Sequence, residues 1–303
     1  MRVWSESRGC VSAHSATATQ GRCSLELHKG STATRDFYDR RGWRRQDGAL
    51  VDTLLFGWVD GPIHQALDRQ RKDRLLQVVG GPGLRLAELG CGGTPAAFLA
   101  ERCARFTAVD FSATGLSEAE AALKDANVAF ETVEADITDL PFDDGAFDVI
   151  YSAHAIYHID TVDGQAAALQ EAMRIVRPGG RAIFVLANPF PLLFPYRVVR
   201  RLFAMTPGLN SVLNRLRAKP PLPYLPMPLG WMKMQLEKWG DVRITGHAVP
   251  SVQFDRGFSE HTTVGRFRWR AIQWLETRHS DYAAKLGCYV LIVVNKRKSD
   301  VMA

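Results

Sequence analysis

Glu88, Gly90, Gly92 and Asp110 are the residues whose types and spacing most directly suggest chemistry in this 303-residue chain. Three of them lie in the run Leu86-Ala87-Glu88-Leu89-Gly90-Cys91-Gly92-Gly93-Thr94-Pro95, where an apolar strand leads through a glycine-rich turn towards a helix. We read Thr94 as the N-cap of that helix and Pro95 as its first residue. Glycines let a ligand approach the main chain closely, and the free N–H groups of a helix start can hold a carboxylate or a phosphate. A dinucleotide fingerprint would need a third glycine where Pro95 stands. Glu88 at the strand end would repel a pyrophosphate and attract a cation.

A cofactor with a sulfonium and an ammonium group, S-adenosylmethionine, meets these conditions. Asp110 closes the next strand, where a carboxylate can accept both ribose hydroxyls. In Glu134-Ala135-Asp136-Ile137, Asp136 can accept from an adenine amino group and Ile137 can lie against the ring. The plainer reading of either aspartate is a helix cap, and of the glycines a tight turn. Cys91 belongs to the turn as a small packing residue without chemistry of its own, and as part of the turn it is counted among the cofactor-binding residues. His154 and His158, four apart after the fourth strand, are the candidates for a general base, since imidazole titrates near neutrality. No third ligand accompanies them in a metal-like pattern, so we expect no metal.

The elements that must position these residues are short apolar runs alternating with helical stretches: 84–89, 106–109, 128–133, 147–152 and 182–186. Such alternation specifies a parallel sheet with helices on both faces. Residues 1–35, rich in Ser, Thr, Ala and Gly, read as a disordered leader. Apolar spacing over 36–80, with Leu50, Val51, Leu54, Leu55 and Trp58 and then Ile63 to Val79, predicts a cap of two helices separated at Gly61-Pro62. The core is assigned to 81–188. A basic, Pro-rich lid follows over 189–230, holding nine of the fifteen prolines. Residues 231–303 complete the sheet, with helices from Trp231 and Thr263 and strands at 242–246 and 287–295.

These elements in this order resemble the class I S-adenosylmethionine-dependent methyltransferases, over roughly Leu84 to Leu186. Besides the glycine turn, the likeness rests on Asp110, on Asp136-Ile137, on Phe147 to Ser152 and on the turn Arg177-Pro178-Gly179-Gly180. Thr94 stands where that family usually has its last glycine, with Gly93 just before it. The resemblance implies a doubly wound, Rossmann-like, mostly parallel seven-stranded α/β sheet, and it adds Phe111 and Ser152 to the cofactor-binding residues. It also implies an enzyme that transfers a methyl group in line to an acceptor.

For the acceptor, the chain lacks the Asn/Asp-Pro-Pro-aromatic motif of base-methylating enzymes, since Ser152-Ala153-His154-Ala155 stands in its place. Asn188-Pro189-Phe190 follows the fifth strand and lacks the second proline. We therefore expect a small, lipophilic or natural-product-like acceptor. The alternatives are a nucleic-acid methyltransferase and a noncatalytic cofactor-binding module. The formal charge of +6 gathers in Arg197, Arg200, Arg201, Arg215, Arg217, Lys219 and Lys233, with no acid between Glu171 and Glu237. Interleaved with leucines and aromatics, that stretch suggests peripheral contact with an anionic membrane surface. A hydrophobic share of 46% against 23% charged residues excludes a wholly disordered or fibrous chain. Five cysteines without a CxxC pair point to a reducing compartment, hence a cytoplasmic location.

Overall fold

A computed structural model of the protein describes residues 34–46, 49–52, 62–192, 223–249 and 262–298. A helical segment over 34–42 ends in the π-turn Tyr38–Gly42 and leads into a hairpin of β1 (Trp43–Gln46) and β2 (Ala49–Asp52). Helix α1 (Pro62–Val79) follows. Then come β3 (Arg85–Leu89), α2 (Ala97–Ala100), β4 (Arg105–Asp110), α3 (Ala113–Asp125), β5 (Phe130–Glu134) and β6 (Phe147–Ala153). The 3-10 turn Ile156–His158 precedes α4 (Val162–Ile175) and β7 (Val176–Ala187). The described chain resumes before α5 (Leu229–Glu237) and continues through β8 (Gly240–Ala248), α6 (Thr263–Arg278), α7 (Ser280–Leu286) and β9 (Tyr289–Lys296).

Seven strands form one sheet in the order β5-β4-β3-β6-β7-β9-β8. The first five pair in parallel, whereas β9 lies antiparallel between β7 and β8. Strand alternation divides the core into two layers. Ala87, Ile150, Phe184 and Ile292 face α4 and α5, through Leu169, Met173, Met232 and Leu236. Leu86, Phe106, Val149 and Leu291 face the other way, against Leu75 and Val79 of α1, Leu99 of α2 and Leu123 of α3. A sheet apolar on both faces must be covered on both, which is why the runs read as continuous apolar stretches.

The five parallel strands fall where the apolar runs predict them, and β8, α6 and β9 match the later ones. The helical cap needs correction. Residues 43–46 and 49–52 pair as strands, Trp43 opposite Asp52 and Arg44 opposite Val51. The apolar pair Leu50-Val51 fits either period, and Asp47-Gly48 between the strands is a hairpin-favouring dipeptide that outweighs the helical spacing. Leu54, Leu55 and Trp58 lie outside the described residues. The leader's boundary also moves: Thr34 and Arg35 are already helical, and Thr34 is buried. Residues 1–33 lie outside the described chain, as do 193–222 of the expected lid. Lys233 of the basic stretch sits on α5 and pairs with Glu237 at 3.3 Å.

Candidate active site

The order of the sheet reverses between β3 and β6, since β4 and β5 lie to one side of β3 and the later strands to the other. At such a switch point the loops beyond the carboxyl ends part and leave a crevice. Gly90 and Gly92 open the loop after β3 with φ of 73° and 54°, left-handed values that glycine adopts without strain. The N–H groups of Gly90 and Cys91 donate to the Val109 carbonyl at 2.8 and 3.1 Å, folding the turn back onto β4. A Cβ at Gly90 would overlap that of Ala155, so the loop after β6 rides directly on the glycine turn.

Two carboxylates are buried beneath this turn. Asp110 Oδ2 accepts from the Gly92 N–H at 2.8 Å, and its Oδ1 from the Ser112 N–H at 2.9 Å. The Phe111 backbone adds to these bonds, and the carboxylate keeps acceptor capacity for a hydroxyl donor. Glu88 Oε2 accepts from the Ala96 N–H at 2.8 Å. This bond corrects the expected helix start. The helix begins at Ala97 with Ala96 as its cap residue, and Glu88 takes the part expected of Thr94. Burial pushes the Glu88 carboxyl up to about 8, with Asp110 adding to the rise, and pushes Asp110 up to about 6 against its backbone hydrogen bonds. Without a cation Glu88 holds its proton at neutral pH while Asp110 keeps one only below about pH 6, and a sulfonium or ammonium beside them would favour release of those protons.

The other predicted cofactor residues are placed unequally. Phe111 follows Asp110 and has the Arg35 guanidinium over its ring at 5.7 Å. Asp136 Oδ1 accepts from both the N–H and the hydroxyl of Thr138, leaving Oδ2 for an amino donor. Ile137 packs in the core. Ser152 is fully buried and donates its hydroxyl to the Leu89 carbonyl at 2.8 Å, so it pins β6 to β3 at the crevice. The Cys91 thiol is buried, and burial raises its pKa well above the usual value.

His154 and His158 do not share a helix face. His154 has a φ of 60°, rare for a non-glycine residue, and precedes the 3-10 turn that carries His158. Its Nδ1 lies 3.0 Å from the Tyr157 hydroxyl, and its ring meets Tyr289 edge-on at 4.9 Å. Solvent reaches His154 although protein surrounds it, as on the floor of an open crevice. That surrounding, with the positive fields of His158 and Arg71, pushes its pKa down to about 4. His158 donates from Nδ1 to the Pro223 carbonyl at 2.7 Å, which leaves Nε2 unprotonated; burial lowers its pKa too. Among the described residues no cluster of His, Cys, Asp or Glu could hold a metal ion.

Sequence spacing did not single out the residues that other elements bring to this edge. From the segment 34–42, Asp39 accepts from the Ser112 hydroxyl at 2.5 Å and Arg35 pairs with Glu134 at 3.3 Å. From β8, buried His247 comes to the same edge, its carbonyl accepting from Arg71 Nε at 3.3 Å. Tyr289 at the start of β9 pairs with both Ala187 and Ala248. Asn188 is a clamp. Its Nδ2 donates to the Ala284 and Gly287 carbonyls at 3.0 Å each, and its Oδ1 accepts from Phe190 N–H. Both described edges of the Pro-rich stretch are tied here, Leu192 N–H to the Lys285 carbonyl and Leu225 N–H to the Tyr157 carbonyl.

Comparison with known proteins agrees with this geometry. The family profile described as "Methyltransferase domain" matches residues 87–184, from β3 to β7. The chain is 35% identical over 119 residues to a demethylmenaquinone methyltransferase of Beutenbergia cavernae, covering 39% of this chain and 47% of that protein. It is 27% identical over 168 residues to a ubiquinone biosynthesis O-methyltransferase of Alkalilimnicola ehrlichii, covering 53% of this chain and 66% of the relative. The chain thus spans about half to two thirds of the length of these relatives. The crystal structure of geranyl diphosphate C-methyltransferase from Streptomyces coelicolor shares the fold, with a TM-score of 0.52 and 16% identity over 90% of this chain and all of that one. The stretch 87–184, which holds Glu88, Gly90, Gly92, Asp110 and Asp136, is a methyltransferase domain.

Proposed function

We propose that this protein transfers a methyl group from S-adenosylmethionine to a small, lipophilic acceptor. The observation that carries this reading is the pair of buried carboxylates, Glu88 and Asp110, held under a left-handed glycine turn at the switch point of the sheet. They suit a cationic cofactor with a diol, and the missing Cβ of Gly90 lets the loop after β6 close directly onto the turn. S-adenosylmethionine supplies, when bound, a methyl group already activated on a sulfonium, so the protein's task is alignment and exclusion of water.

Asp110 accepts the ribose hydroxyls on its remaining lone pairs, and Asp136 Oδ2 accepts the adenine amino group. Glu88 provides the negative field for the cationic end. Across the crevice, Tyr157, Tyr289 and Tyr224 form an aromatic wall, with Tyr157 and Tyr224 5.3 Å apart edge-on, which suits a flat or apolar acceptor. The quinone-related names of the two sequence relatives support the same class of acceptor. His154 is the group placed to take the acceptor's proton. In the tautomer that donates Nδ1–H to the Tyr157 hydroxyl, Nε2 keeps a lone pair, and the lowered pKa keeps the ring neutral at pH 7.

Titration calorimetry tests the cofactor site. Asp110→Ala should weaken S-adenosylmethionine binding roughly ten- to a hundredfold, the worth of hydrogen bonds to a charged acceptor. Unchanged affinity would remove Asp110 from the site. A panel of quinone, phenol and polyketide acceptors with a labelled methyl donor tests the reaction. Binding without any product would favour a noncatalytic module, and product only on RNA would favour a nucleic-acid methyltransferase.

A further inference from the structure

Helix α6 has two faces of different meaning. Its inner side is fixed by Gly265, Ile272 and Glu276, the last accepting from Val249 N–H at 2.8 Å and lying 3.7 Å from Arg74. On its outer side Val264, Phe267 and Trp274 are 59%, 72% and 58% exposed. With exposed Ala271 they fall at i, i+3, i+7 and i+10, one stripe nearly opposite Ile272 and Glu276. An ordinary surface helix is polar there, and a contiguous exposed apolar patch marks a place of contact.

The charges around the stripe say what that contact is. At 100° per residue, Arg266 and Arg270 flank it on one side and Arg268 on the other, while Arg278 ends it; all four are exposed. The helix's one acid, Glu276, is buried on the inner side. Trp274 meets the His279 ring at a tilt, 4.4 Å between centroids, and Tyr282 on α7 is 65% exposed beyond it. Apolar residues rimmed by arginines, with Trp and Tyr at the margin, match the interface between acyl chains and anionic headgroups. Beside α6 runs a groove of about 1020 Å³ lined by Arg69, Arg74, Arg243, Arg270 and Trp274, with Asp73 the exposed acid among its lining residues.

We propose that α6 docks this protein on anionic membrane surfaces, its Val264–Phe267–Trp274 stripe entering the headgroup layer and its arginines meeting lipid phosphates. An RNA would use the arginines but leave the aliphatic part of the stripe in water. A second copy apposed through the stripe would bring two sets of arginines together. This contact is separate from the basic stretch at 197–219 and does not depend on which acceptor is methylated.

Sedimentation of the full chain with vesicles of phosphatidylcholine, alone or equimolar with phosphatidylglycerol, decides the matter. The unmodified protein should sediment with the anionic vesicles only, and high salt should release it. The triple variant Arg266→Glu, Arg268→Glu, Arg270→Glu should partition on the order of a hundredfold more weakly, and Phe267→Ser about tenfold more weakly. Both should melt at the unmodified temperature, since these side chains face away from the core. An Arg197→Glu, Arg200→Glu, Arg201→Glu variant should bind vesicles nearly as well as the unmodified protein. The proposal is overturned if anionic vesicles are ignored, if only the 197–201 variant loses binding, if the protein binds single-stranded RNA instead, or if Phe267→Ser abolishes a dimer formed without lipid.

Discussion

In the proposed site, Glu88 and Asp110 would tie cofactor binding to pH. Both carboxyls are raised by burial, Glu88 from 4.5 to about 8, so the folded protein without a bound cation holds protons that the unfolded chain has given up. The sign follows: Glu88's contribution to stability is full below pH 4.5 and is lost as pH rises through 8. A bound cation favours the ionised forms, so affinity for S-adenosylmethionine should weaken as pH falls from 8 to 6. Calorimetry in two buffers of different ionisation enthalpy should show proton release on binding, and Glu88→Gln should flatten the pH dependence. A wild-type slope in that variant would mean the proton belongs elsewhere. For His154, whose backbone is left-handed, asparagine is the substitution that tolerates the conformation. His154→Asn should lower kcat by a factor of about a hundred or more with little change in cofactor affinity, as expected for loss of a general base. Because its pKa lies near 4, turnover should show no histidine-like fall between pH 8 and 6 beyond the change in cofactor affinity.

The segment 34–42 is short, yet it touches three strand ends of the crevice: Ser112 after β4, Glu134 in β5 and the His158 carbonyl beyond β6. Ser112 N–H also holds Asp110, so Asp39 reaches the proposed ribose site through one residue. A chain beginning at Thr34 should bind S-adenosylmethionine like the whole protein, whereas one beginning at Trp43 should bind it several-fold more weakly; equal affinities would show the segment to be dispensable. Legibility differed between elements for a physical reason. The glycine turn and its acids announce themselves by local spacing along one strand–loop–helix unit. The strand pair 43–46 and 49–52 hid because short apolar pairs fit two periods, and the Asp47-Gly48 dipeptide in the sequence carried the deciding signal. Arg71, His247 and Tyr289 meet through the order of the sheet, which no local spacing encodes. The outward face of α6 carries its message only once the inward face is known, since the helix spacing alone does not say which stripe is buried.

Across the whole molecule, β9 joins the cofactor half of the sheet to β8. Lys296 near its end donates to the Met173 and Val176 carbonyls at 2.7 and 2.6 Å and lies over the Trp239 ring, fastening α4, β7 and β9 together. Lys296→Met leaves those carbonyls unpaired and should cost about 2 kcal/mol, seen as a drop of several degrees in Tm; an unchanged melting curve would show that water replaces the ammonium at no cost. The position of β9 also orders events in time. Strands β3 to β7 can pair as they leave the ribosome, because each finds its neighbour among residues already made. Among the described strands β8 has no neighbour but β9, and β7 keeps one open edge until Tyr289–Lys296 has been translated. For the time it takes to synthesise residues 188–288, the nascent chain therefore carries a nearly finished five-stranded half with an unpaired central edge, the state in which chaperones and proteases would meet it.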